Sequence, residues 1–233
     1  NPYLTMNYAT EANIVRTLGK IYANGYLFQG QKPVHWCVDC GSALAEAEVE
    51  YEDKISPAID VAFAAVNADA IHQAFGLHSD RPVFAVIWTT TPWTLPANQA
   101  ISVHPELRYG LYETPKGLLL LAEALAEHAL QRYGWGEASC VAHANGEVLV
   151  HSQWQHPFYA DRQVPMIGGT HVTTEAGTGL VHTAPAHGVD DWLVGQQYHI
   201  PVNNPVRDDG KFAQTTPSLP NGVSLVDKTV WEA

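Results

Sequence analysis

The sequence predicts a β-rich mixed α/β fold, barrel-like, with helices at its periphery. Three observations point there. Short apolar or alternating runs recur along the chain, each bounded by proline or polar residues. Helical periodicity is confined to a few stretches. Hydrophobic residues make up 46% of the 233 residues and charged residues 15%, which suits a packed core and argues against disorder.

The first expected element is a helix over 10–24. Ile14, Leu18, Ile21 and Tyr22 fall on one face, Thr10 is placed to cap the start, and Asn24-Gly25 supplies a stop. Val34, Trp36 and Val38 then alternate through Cys37-Val-Asp-Cys40-Gly41. Residues 1–45 therefore read as a lead-in and 46–233 as the main domain. Strands are expected over 59–66 and 83–88, then over 118–121 after a Pro-Lys-Gly turn. A helix over 122–132 follows, ended by Gly134. Further strands are expected over 148–150 and 164–167. The runs 171–174 and 180–183 flank Glu-Ala-Gly-Thr-Gly, and a hairpin is expected there. Asp190-Asp191 opens a helical stretch over 192–198, where carboxylates suit the helix dipole. The tail from Asn203 is rich in turn dipeptides.

Composition narrows the function. Twelve basic and 24 acidic residues give a net charge of −12, so the chain is a poor non-specific binder of nucleic acid. Any such contact must be local or assisted from outside it. No apolar run reaches the ~18 residues of a membrane span, and the first residues show no charged leader before an apolar stretch. The chain starts without methionine and is expected to be a piece of a longer one. Three cysteines, an odd and small number, fit a reducing cytoplasm. Nothing suggests an obligate oligomer, so a monomer is expected.

Three constellations carry candidate chemistry. In IWTTTPWTLP, residues 87–96, a strand ends in threonines and prolines. Thr91 precedes Pro92 and is biased away from helix. Extended backbone beside prolines, plus hydroxyls, would line a cleft with neutral donors and acceptors suited to a ribose, an ester or a phosphate. An ordinary strand-to-loop transition, with threonine chosen for β propensity, is the alternative. The second constellation is Gly177 to Asp191, which holds His182, His187, Asp190 and Asp191. It reads as a metal site, as a polar pocket whose carboxylate holds an ammonium, or as a capped helix with surface histidines. Gly177, Gly179 and Gly188 would admit a ligand close to the backbone. The third is Cys37-x-x-Cys40, which reads either as half of a tetrahedral zinc site whose other ligands would lie outside this chain or as two simply reduced cysteines.

Taken together, these residues resemble the editing insertion of bacterial isoleucyl-tRNA synthetases. The likeness rests on NPYLTMNYATEANIVRTLGKIYANGYL, KPVHWCVDCGSALAEAEVEYEDK, VIWTTTPWTLPANQAI, AGTGLVHTAPAHGVDDWLVGQQY and NPVRDDGKF, in that order along nearly the whole chain. The valyl and leucyl enzymes share a threonine-rich peptide and a related glycine-rich segment; HWCVDC with ALAEAEVEY favours the isoleucyl family. The His-Ile-Gly-His and Lys-Met-Ser-Lys-Ser signatures of aminoacylation are absent from this stretch, so neither isoleucine activation nor tRNA charging is expected of it.

The resemblance implies a barrel-like editing domain and hydrolytic proofreading of valyl-tRNA(Ile), with valyl-adenylate as a second substrate. Its expected partners are the acceptor end of the tRNA and the rest of the synthetase. By family position Asp191 grips the substrate α-ammonium, and Asp190 caps or supports. His182 shapes the sieve. Thr89, Thr90 and Thr91 contact the terminal adenosine and the ester, with Trp93, Asn98, Gly179 and His187 as further binding positions. No nucleophile stands out, so direct attack by water is expected, without a cofactor. The rivals are a metal-dependent hydrolase using His182, His187, Asp190 and Asp191, and an acceptor-end binding module inactive alone.

Overall fold

A computed structural model describes residues 4–233. The chain divides into two compact units, Asn1–Lys32 and Pro33–Ala233. The first holds helix α1 (Tyr8–Ala23). Its cap is Asn7 rather than Thr10: the Asn7 side chain accepts from the backbone N–H of Ala9 at 2.9 Å, and Thr10 lies inside the helix. The stop is where the sequence puts it, with Gly25 at φ 77° just past the last turn. Ile14, Leu18, Ile21 and Tyr22 are exposed.

The second unit opens with a small hairpin, β1 (Trp36–Cys37) against β2 (Ser42–Ala43). Then come β3 (Ile59–Ala65), α2 (Ala68–Ala74), β4 (Val83–Thr89), β5 (Ala100–Val103), β6 (Arg108–Thr114) and β7 (Gly117–Ala122). After α3 (Glu123–Arg132) follow β8 (Cys140–Asn145), β9 (Gln153–Gln155), β10 (Gln163–Gly168), β11 (Leu180–Thr183) and α4 (Val189–Gln197). Nine strands form one mixed sheet in the order β11-β5-β10-β9-β3-β4-β7-β6-β8. Among the described residues no helix is long and apolar enough to cross a membrane.

The β-rich mixed α/β class is the one the sequence predicts, but the barrel does not close. β4 already pairs with β3 on one edge and with β7 on the other, so β11 packs against β4 without joining its ladder. Two local expectations also differ. Residues 148–150 are not a strand: a 3-10 turn, Gly146–Leu149, occupies that stretch. The runs 171–174 and 180–183 form no hairpin, because β11 pairs antiparallel with β5 instead.

One face of the sheet buries Phe63, Ile87, Ile101, Leu120, Trp154 and Met166, all essentially inaccessible. Burying each such side chain contributes on the order of 2 kcal/mol, which fixes the strands that carry the site. On another face α3 lays Ala126, Ala129 and Leu130 over Val86, Leu119 and Leu121. The helix α4 is pinned by Val194, which packs on Ala100 and Ile167.

Candidate functional site

The threonine peptide begins where β4 ends. Thr89 is buried, Thr90 exposed and Thr91 half-buried. The Thr89 hydroxyl accepts from the N–H of Thr91 at 3.0 Å. The chain then winds into a 3-10 helix, Pro92–Ala97, with proline in its first turn. That corrects the expectation of extended backbone with free polar groups. Pro92 has no N–H to lose, and its fixed φ suits a helical first turn. The following groups pair locally: the N–H of Thr94 donates to the Thr91 carbonyl at 3.1 Å, and that of Asn98 to Leu95 at 3.0 Å.

Sheet register delivers the histidine. β11 pairs with β5 so that His182 lies opposite Ile101 and Thr183 opposite Ala100, which sets His182 beside Asn98. The Asn98 amide nitrogen lies 2.9 Å from the Ala100 carbonyl and 2.7 Å from His182 Nδ1. A carbonyl only accepts, so the atom facing it must be the NH2 group, and His182 Nδ1 must then be unprotonated. The ring proton sits on Nε2 and donates to the Thr94 hydroxyl at 2.8 Å. Thr94 in turn donates to the Thr91 carbonyl at 2.8 Å. His182 is therefore a neutral, fully satisfied imidazole, and burial pushes its pKa down to about 3.

Behind this turn stands His156, which sequence reasoning missed. Its Nδ1 accepts from the N–H of Phe158 and of Tyr159, so Nε2–H donates to the Leu95 carbonyl at 3.1 Å. Its ring stacks on Tyr159 with centroids 4.7 Å apart, and burial lowers its pKa to about 4. Arg162 donates to the Pro96 carbonyl at 2.8 Å. No sequence motif links residues 156 and 162 to the threonine peptide; only the fold does.

The carboxylate comes from α4. Gly188 is its N-cap, and Asp191 reaches back so that one oxygen accepts from the N–H of Ala184 at 2.8 Å. This ties the acid to the turn that leaves His182. Burial raises the Asp191 pKa, against the pull of the Ala184 hydrogen bond and of nearby His171. Asp190 is exposed. His187 meets the edge of Trp93 with ring centroids 5.2 Å apart, and burial lowers its pKa to about 4. Asn98 Oδ1, His187 Nε2 and Trp192 Nε1 are buried without a hydrogen-bond partner among the described residues.

The structure thus links Thr91 to His182 through Thr94, bonds His182 to Asn98, sets Trp93 against His187, and ties Asp191 to the turn at Ala184 that follows His182. Thr89 and Thr90 line a cleft of about 320 Å³ together with His171, Glu175 and Gly179. Gly179 has a packing reason to be glycine: at φ 75°, a Cβ there would stand 2.3 Å from that of Ala122. Its carbonyl accepts from the hydroxyl of Tyr109 at 2.7 Å.

A family model for class I tRNA synthetases (I, L, M and V) matches residues 1–210. The chain belongs to the class I tRNA synthetases. An isoleucine–tRNA ligase of Dechloromonas aromatica is 62% identical over the whole chain, which spans 25% of that relative. Those of Thiobacillus denitrificans and Neisseria gonorrhoeae are 56% and 54% identical, again over the whole chain and 24% of each relative. The chain therefore spans about a quarter of the length of these curated relatives. Two solved editing domains share the fold. That of the P. knowlesi cytosolic leucyl-tRNA synthetase has a TM-score of 0.52 at 12% identity, covering 60% of each chain. That of the P. falciparum cytosolic enzyme has a TM-score of 0.51 at 12% identity, covering 58% of this chain and 63% of the other.

At the histidines the hydrogen bonds already engage several of the atoms a metal would need. Both His182 nitrogens are already bonded, one Asp191 oxygen is held by Ala184 and Asp190 is exposed. Among the described residues no three of His, Cys, Asp or Glu are grouped as metal ligands. The cysteine pair is a different case. The N–H of Cys40 donates to the Cys37 sulfur at 3.3 Å, and Gly41, at φ 60°, turns the chain back into β2. The hydrogen bonds from Cys40 draw the Cys37 thiol pKa down, and the same contact pushes that of Cys40 up. Two sulfurs on such a tip fit half of a tetrahedral zinc site.

Proposed function

We propose that this chain is the proofreading part of an isoleucine–tRNA ligase, hydrolysing the ester of valyl-tRNA(Ile) and also valyl-adenylate. The relatives' names and the shared editing-domain fold support the family of activity. The observation that carries the substrate is a neutral, fully bonded His182 followed by a turn at Ala184 that is tied to a part-buried carboxylate, Asp191. An aminoacyl ester presents one cation and an otherwise neutral reacting centre, and Asp191 supplies a part-buried anion close to the uncharged His182 and threonines.

The need for such a site is physical. A synthetic pocket for isoleucine prefers it over valine by only about 1–3 kcal/mol, since one methylene is at stake; isoleucyl enzymes are themselves the standard illustration of that limit. A second pocket must accept valine and refuse isoleucine. Here Asp191 grips the α-ammonium, which orients the ester carbonyl. His182 forms the wall against the longer side chain. Thr89, Thr90 and Thr91 meet the terminal adenosine and the ester, with Trp93, Asn98, Gly179 and His187 around them and Asp190 behind. Water attacks directly, while hydroxyls and backbone N–H groups stabilise the oxyanion. Residues 46–233 are the editing domain and residues 1–45 the lead-in to the catalytic domain. The tRNA acceptor end and the rest of the synthetase are the partners, and the latter supplies the phosphate contacts that a net charge of −12 disfavours here. Zinc, held by Cys37 and Cys40 with ligands elsewhere in the enzyme, is structural.

The test is deacylation of valyl-tRNA(Ile) and isoleucyl-tRNA(Ile) by this chain, with and without chelator. Fast loss of the valyl ester, unaffected by chelator and with the isoleucyl ester spared, is expected. Chelator-sensitive activity restored by added metal would replace this reading by a metal hydrolase. Binding without turnover would replace it by an acceptor-end module. His182→Ala is expected to expose isoleucyl-tRNA(Ile) to hydrolysis, raising its rate by at least about tenfold, the scale of one side-chain contact in an apolar pocket. Unchanged resistance of that ester would remove His182 from the sieve.

A further inference from the structure

The hydrogen bonds around His182 run in one direction. Asn98 donates to Nδ1, Nε2–H donates to Thr94, and Thr94 donates to the Thr91 carbonyl. Thr94 is 6% exposed, Asn98 is 0% and His182 is 7%, so water cannot substitute readily for any member. Through its one hydroxyl Thr94 accepts from the histidine and donates to the Thr91 carbonyl, so it couples the ring directly to the run of threonines. We propose that Thr94 is a positioning residue that holds His182 as its Nε2–H tautomer, with its ring plane locked against the threonine peptide. The proposal rests on the proofreading reading above and adds a reason why the wall stays in place.

The chain of donors makes the lock one-sided. If the Thr94 hydroxyl is removed, Nε2–H is left without an acceptor in a buried place. Moving the proton to Nδ1 offers no escape, because Nδ1–H would then face the Asn98 NH2 group, itself a donor. Rotating Asn98 would turn its oxygen towards the Ala100 carbonyl. The ring must therefore turn or move, and the pocket wall moves with it.

The experiment uses the 233-residue chain labelled with 15N at histidine, the His182 signals being assigned by their disappearance in His182→Gln. In the native chain Nε2 is expected to resonate as a protonated nitrogen and Nδ1 as an unprotonated one. Thr94→Val keeps the shape but not the hydroxyl, and is expected to broaden or average both signals. It should also raise isoleucyl relative to valyl ester hydrolysis by about fivefold to tenfold, the equivalent of one net hydrogen bond. Thr94→Ser is expected to restore both readouts. Thr94→Ala tests the same deletion if the valine variant does not fold. Native-like His182 signals in Thr94→Val overturn the proposal. So does a changed ester ratio with unchanged signals, which would give Thr94 a direct part in pocket shape. If the native chain hydrolyses neither ester, the proofreading reading fails, while the imidazole signals still decide the lock.

Discussion

Replacing Asp191 by alanine is expected to slow hydrolysis of valyl-tRNA(Ile) by about a hundredfold to a thousandfold, the scale seen when a charge-assisted hydrogen bond is deleted in a poorly hydrated site. The side chain has two jobs that must be separated. One oxygen accepts from Ala184 and shapes the turn after His182. The charge, on our reading, holds the substrate ammonium. Asparagine keeps an acceptor for Ala184 but no charge. Asp191→Asn should therefore melt close to the native chain and still be slow. If asparagine restores the rate, the residue serves the turn and the clamp is wrong. Asp190→Asn, at an exposed neighbour, should change the rate little. Single-turnover deacylation alongside thermal melts reads all three. Because burial raises the Asp191 pKa, the acid limb of the native rate should lie above the ordinary aspartate value. That limb should be missing from the residual activity of Asp191→Asn.

How much of this was legible in the sequence depends on how local each feature is. The strand Val83–Thr89 and the helix Glu123–Arg132 declare themselves, one by an apolar run and the other by periodicity and a terminal glycine. β5 is four wholly buried residues with no alternation, so nothing distinguishes it from loop. β6 has a glycine in its interior, which lowers strand propensity; a Cβ at Gly110 would collide with Tyr112 and Cys140. β8 is an edge strand with mostly exposed residues, and Val141 is its one large apolar side chain. The expected hairpin at 171–183 failed because local turn residues cannot reveal that β11 finds its partner in a strand as distant as β5. The site divides in the same way. Threonines, histidines and acids could be named from their clustering and the family likeness. The pairing of His182 with Thr94 and Asn98 spans 88 and 84 residues, and no spacing in the chain points to it.

Mild acid is expected to unfold this chain, and the same neutral imidazoles are the reason. Burial holds His156 and His187 at about 4 and His182 at about 3, whereas an unfolded histidine titrates near 6.5. Above that value neither state binds the protons, and the three contribute no slope. Below it the unfolded chain takes up protons that the folded chain refuses, so stability falls with pH until each folded value is reached. At about pH 5 each group costs roughly 2 kcal/mol, and the three together cost about 6 kcal/mol, a large part of what a domain usually has. Asp191, whose pKa is raised, acts in the opposite sense, but it is one group against three. Urea midpoints measured between about pH 4 and pH 8 should be flat above about pH 7 and drop steeply below about pH 6. Removing one proton acceptor, as in His187→Asn, should make the drop shallower by about a third. A midpoint that stays level down to about pH 5 would mean that these rings gain protons while folded, and His182 would then not be the uncharged wall argued for above. The two acid effects are separable: titration of Asp191 slows a folded enzyme and reverses at once, whereas the histidines act by removing the folded state itself.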